Sequence, residues 1–102
     1  MDGEIYTVKW LNENYNVHFE TLYKFMYKRL IFFARSFLLD EDLADDIIQE
    51  VFIGLWNKGK NMAENIPLER YLFTSVKNLC IDYHRKLNII DKYQKGNIFA
   101  GK

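Results

Sequence analysis

Residues 40–58 read DEDLADDIIQEVFIGLWNK, and the spacing of their apolar positions decides the fold. Set at 100° per residue, Leu43, Ala44, Ile47, Ile48, Val51, Gly54 and Leu55 fall in one arc of about 140°, the stripe of an α-helix that buries one face. Asp40 is placed to cap that helix, Glu41 and Asp42 sit at the positive end of its dipole, and Lys58-Gly59 marks its C-terminus. Opposite the stripe lie Asp45, Asp46, Gln49, Glu50, Phe52, Ile53 and Trp56. Phe52 and Trp56 are four apart and share one edge, with Asp45 and Gln49 continuing the same ridge. Two readings are open. Either the aromatics widen the core contact and the carboxylates are solvated, or the ridge meets a partner, since large aromatics within a polar rim have the anatomy of an interface hot spot. Asp45 and Asp46 make a poor catalytic pair, because neighbours on a helix diverge by about 100°.

Two further stretches have the same period, and nothing follows a period of two. From about His18 to Leu39, the residues Phe19, Leu22, Tyr23, Met26, Leu30, Phe33 and Phe37 fall on one side. From Pro67, a good first-turn residue, to about Leu87, the stripe is Leu68, Leu72, Val76, Leu79 and Tyr83. The expectation is an all-α fold, a bundle of three long helices with a weakly signalled short helix before residue 16. Between the second and third long helices lies GKNMAENI at 59–66, a polar loop of the length that often carries function. After Leu87 the pattern dissolves.

At 102 residues the chain makes one domain, able to bury roughly two-thirds of its unfolded surface. It is 49% hydrophobic and 17% aromatic, well beyond a disordered composition. The lone cysteine, Cys80, excludes an internal disulfide. The start MDGEIYTVKW lacks the basic and apolar regions of a secretory signal, so a cytoplasmic location is expected. The densest apolar run, LIFFA at 30–34, is far too short to span a bilayer, so no membrane insertion is expected. Net charge is zero, but residues 40–50 hold six carboxylates and no base. Residues 70–95 hold Arg70, Lys77, Arg85, Lys86, Lys92 and Lys95 against Asp82 and Asp91. Two regions of opposite sign imply two different partners.

The outer face of the third long helix carries Arg70, Tyr71, Thr74, Lys77, Asn78, Ile81, Asp82, His84 and Arg85. Such a mixture is either an ordinary solvated face or one suited to DNA. Cations neutralise phosphates, Thr and Asn bond phosphates or base edges, and aromatics stack on exposed bases. Tyr71 alone makes no stacking platform and would have to act with the 59–66 loop. His18, His84 and one cysteine are too few and too scattered for a metal shell, so no metal and no cofactor is expected. Cys80 reads as a small buried hydrophobe. No nucleophile motif or phosphate-binding glycine loop is present, and enzymatic activity has no support.

Taken together, FETLYKFMYKRLIFFARSFLLDEDLADDIIQEVFIGLWNK, an irregular loop and PLERYLFTSVKNLCIDYHRK resemble region 2 of sigma-70 family sigma factors, specifically the small extracytoplasmic-function (ECF) group. The similarity covers about residues 18–87. Its most specific parts are DLADDIIQEVFIGLW and YLFTSVKNLCIDYHRK. The resemblance implies that the acidic helix docks on the β′ clamp helices of core RNA polymerase through Asp46, Gln49, Glu50, Phe52 and Trp56. It implies that the loop and third long helix recognise and melt the promoter −10 element, holding a flipped base of the non-template strand. The matching DNA-binding candidates are Lys58, Lys60, Asn61, Arg70, Tyr71, Thr74, Lys77, Asn78, Asp82 and Arg85. An anti-sigma factor is a further partner that the resemblance implies. The family's C-terminal helix-turn-helix domain has no counterpart after Leu87. Residues 1–87 are therefore expected to be the region 2 domain and 88–102 a linker or tail toward an absent second domain, either cut away or naturally lacking. The alternative is a helical protein-interaction module with a non-polymerase partner and no DNA role.

Overall fold

The computed structural model describes residues 5–100, with side chains described through residue 88. Four helices follow in order: α1 Val8–Glu13, α2 Tyr15–Arg35, α3 Glu41–Lys58 and α4 Leu68–Ala100, with a 3-10 turn at Gly59–Asn61 between α3 and the last loop. The expected all-α bundle of three long helices and a short N-terminal one is what forms. Extended pairing among the described residues is confined to a single bridge between Thr7 and Pro67.

Four-residue rows build the core. Leu22, Met26, Leu30 and Ala34 of α2 face Leu68, Leu72, Val76 and Cys80 of α4, all fully buried. Between them α3 inserts Ala44, Ile47, Ile48, Val51, Phe52 and Leu55. Each fully buried Leu in such a row contributes about 1.5–3 kcal/mol over its exposed state. Val8 and Leu11 of α1 close one end of the same cluster. Phe19, Tyr23, Phe33 and Phe37, expected on the core side of α2, pack against this cluster while staying partly exposed.

The helix boundaries differ from expectation in three places. α2 ends at Arg35 and not near Leu39, because Ser36 competes for its carbonyls. The Ser36 hydroxyl donates to Phe33 O at 2.6 Å, and the next amides fold back on Phe33 O and Ala34 O at 2.9–3.1 Å, tightening the turn. At the other end α2 begins at Tyr15 and not near His18, with Asn14 as an N-cap that makes no side-chain bond and accepts the His18 amide at its carbonyl at 2.8 Å. α4 stays helical through Ala100, past the point where its apolar stripe ends.

α3 keeps its expected bounds. Asp40 Oδ1 accepts the amides of Asp42 and Leu43 at 2.9 and 3.2 Å, an N-cap contribution of about 1 kcal/mol. Its C-terminus uses glycine for a different reason than anticipated. Gly59 has φ −57° and ψ −36°, a backbone open to any residue. A Cβ there would meet the Tyr15 hydroxyl at 2.5 Å, so the glycine is required by close approach. Among the described residues no helix is long and apolar enough to cross a membrane.

Candidate docking and nucleic-acid interface

The edge of α3 that turns toward α2 rests on an aromatic bed. Tyr15, Phe19, Tyr23 and Tyr27 recur every fourth residue along α2 and cover the ridge of α3 that begins at Asp45. Phe52 sinks between Phe19 and Tyr23, at ring-centroid distances of 6.0 and 4.7 Å, and is only 2% exposed. This corrects the expectation for Phe52, which is a core residue and not part of an outer ridge. The helical wheel of α3 alone could not register that α2 brings a second aromatic row over it.

Trp56 lies one turn further on and remains 44% exposed. Its ring stands edge-on to Phe19 at 5.0 Å and to Tyr15 at 5.1 Å. Gln49 Nε2 donates to the Tyr23 hydroxyl at 2.6 Å, which fixes the direction of its amide. With exposed Ile53, these residues line a shallow groove of about 200 Å³. The arrangement is an apolar seat with one oriented amide. Asp45, at the far end of the ridge, accepts a hydrogen bond from Tyr27. That bond, then burial, pushes the Tyr27 phenol up to about 12.

The other edge of α3 turns toward α4. Asp46 and Glu50 are exposed, and they share a cleft with Asp82 and Lys86. Glu50 also lines a wider groove of about 410 Å³ with Lys58, Tyr71, Ser75 and Asn78. The acidic and basic regions, expected as separate faces, therefore meet along the α3–α4 seam. The sequence could not reveal this, since it fixes each helix's own wheel but not the rotation of one against another.

On α4 the residues Arg70, Thr74, Lys77, Asn78, Asp82 and Arg85 are exposed and Tyr71 is half-buried. Arg85 pairs with Asp82 at 3.5 Å, an exposed contact worth little to stability. His84, which the wheel places on this face, bonds Phe37 O at 2.6 Å and ties α4 to the end of α2. Cys80 is fully buried, and burial pushes its thiol up, which suits a packing role.

The loop before α4 carries Lys58, Lys60 and Asn61 exposed at its start. Lys60 Nζ lies over the Tyr15 ring at 5.1 Å. The Tyr15 hydroxyl in turn is shared by Trp56 O at 2.8 Å and Leu55 O at 3.1 Å, the latter also accepting the Gly59 amide, so it braces the last turn of α3. Burial raises the Tyr15 phenol. Sequence reasoning passed over Tyr15, although the four-residue recurrence of aromatics from 15 to 27 is a signal that could have found it.

Residues 22–89 match the family model described as sigma-70 region 2. That match spans most of α2, all of α3, the loop and the first two-thirds of α4. Comparison with curated proteins and with solved structures finds no match.

Proposed function

Because the chain belongs to the sigma-70 region 2 family, transcription factors that bind RNA polymerase and recognise promoters, we propose that it is the polymerase-docking and promoter-opening domain of an ECF-group sigma factor. The observation that carries this is the pairing of that match with an exposed, aromatic-backed edge on α3. Asp46, Gln49, Glu50 and Trp56, joined by Ile53, meet the clamp helices of the β′ subunit. Phe52 acts from beneath, by holding the ridge at its height.

The −10 element is taken by the loop and α4. Arg70, Lys77 and Arg85 contact phosphates and set register, while Thr74, Asn78 and Asp82 line the path. Lys58, Lys60, Asn61 and Tyr71 border the place where an unstacked base of the non-template strand is held. Melting needs no covalent chemistry. Capturing one flipped base offsets an unstacking cost of a few kcal/mol, so the opened strand binds better than the duplex. An anti-sigma factor that covers the α3 edge would silence the domain by occlusion, and the work is done in the cytoplasm, where polymerase and promoter are. Residues 88–102 lead, in this reading, toward a second DNA-binding domain.

Calorimetry against a purified β′ clamp-helix fragment tests the docking half. The parent should bind at micromolar affinity, and Gln49→Ala and Trp56→Ala should each weaken binding about tenfold or more with helical content unchanged. Parent-like binding by both variants would overturn the assignment of this edge.

A further inference from the structure

Residues 5–21 lie outside the matched segment, yet part of this stretch holds the loop that precedes α4. The Leu68 amide donates to Tyr6 O at 2.7 Å, the Val8 amide to Ile66 O at 3.1 Å and the Lys9 amide to Glu64 O at 3.0 Å. Thr7 and Pro67 form the bridge between these bonds. All three donors are first-turn amides, two of α1 and one of α4, which a helix cannot satisfy internally. Two helix starts are thus completed crosswise through the loop backbone.

The consequence for the loop is a division of labour. Its backbone is bonded inward at Glu64 and Ile66, while the side chains of Lys60, Asn61, Ala63, Glu64 and Asn65 face solvent. Ordering a free loop costs about 1–2 kcal/mol per residue at the moment of binding, and a loop already held loses that cost from its affinity. Tyr15 extends the support to the loop's start, beneath Lys60. We propose that the N-terminal segment Tyr6–Lys9 is a positioning element that holds residues 62–66 in the shape that captures the unpaired promoter base. The inference rests on the DNA reading of this loop given above.

Lys9→Pro tests it at one bond. The Lys9 amide has no partner within α1, proline is tolerated in a helix's first turn although it presses on the preceding helical residue, here Val8, and the Lys9 side chain is exposed. With the chain bound to core polymerase, Lys9→Pro should lose about fivefold in affinity for a −10 single-stranded oligonucleotide. Its affinity for the clamp-helix fragment should be unchanged, and Lys9→Ala should match the parent in both assays. Parent-like strand binding by Lys9→Pro, or an equal loss in Lys9→Ala, overturns the proposal. No strand binding by the parent complex would instead sink the DNA reading, and the proposal with it. Should Lys9→Pro fold poorly, hydrogen exchange of the parent decides. The Val8, Lys9 and Leu68 amides should already be protected before the strand is added, and exchange at unprotected rates overturns the positioning role.

Discussion

Trp56 and Asn61 stand five residues apart in the chain, and they are held by different means. Trp56 rests on side chains: Phe19 and Tyr15 support its ring, and buried Phe52 sets the height of its helix edge. The segment that follows Asn61 rests on main chain, through amides of Val8, Lys9 and Leu68. A packed edge is rigid because many small contacts must break together. A backbone-tied loop depends on a few bonds, each worth about 1 kcal/mol net. Under the proposed function, the first suits a surface that presents a fixed shape to a helical partner, the second a loop that accepts a base and releases it.

The comparison breaks most visibly at Phe52. Phe52→Ala should cost about 3–5 kcal/mol, because it empties a core position between Phe19 and Tyr23. Trp56→Ala, one turn away and partly solvated, should cost far less in urea unfolding. Equal losses would mean that Trp56 is as much a core residue as Phe52, and the packed edge would have no free face to offer.

Gly59 joins the two regions, so its substitution sharpens the contrast. Gly59→Ala should destabilise by about 1–2 kcal/mol, since the new methyl collides with the Tyr15 hydroxyl that caps α3. In a Tyr15→Phe background the same change should cost less, because the colliding oxygen is gone. Some cost should persist, as Leu11 Cδ2 lies at 3.2 Å and Tyr15 Cζ at 3.3 Å from the added carbon. An additive double-mutant cycle from thermal unfolding would show that Tyr15 and Gly59 do not act as a unit.

The same contrast explains what could be read in advance. Periodicity located α3 to the residue, because Asp40 and Lys58 are local signals and the stripe from Leu43 to Leu55 needs no knowledge of its neighbours. It placed Phe52 outside, because burial on a second side is decided by another helix's aromatic row. The start of α4 was legible to within one residue from Pro67, which immediately precedes Leu68, the first residue of the helix. The tie from Tyr6–Lys9 to Glu64–Leu68 was not, since backbone amides are common to every residue and their pairing leaves no trace in side-chain pattern. Candidate residues on α4 were legible as a face, whereas their meeting with Glu50 depends on how α3 and α4 are rotated together. His84 is exposed, as its wheel placed it, but its bond to Phe37 O across to the end of α2 left no trace in the pattern.

Tyr27 offers the smallest and most selective test, because it marks where the aromatic bed turns polar. Its hydroxyl donates to Asp45, and that bond, followed by burial, raises the phenol from 10.0 to about 12. A group whose folded pKa is raised stabilises fully below its unfolded pKa and loses that contribution as pH climbs through the folded one. The parent's stability should therefore fall relative to Tyr27→Phe between about pH 10 and pH 12, and the difference between them should be flat below that window. A pH series of urea midpoints for both proteins measures it. Parallel curves across the window would mean that the bond adds nothing and that the whole α2-facing edge, from Asp45 to Trp56, is held by packing alone. A divergence would show that the edge is pinned by a charge-assisted bond at one end and by an aromatic seat at the other, which fixes its register as well as its height.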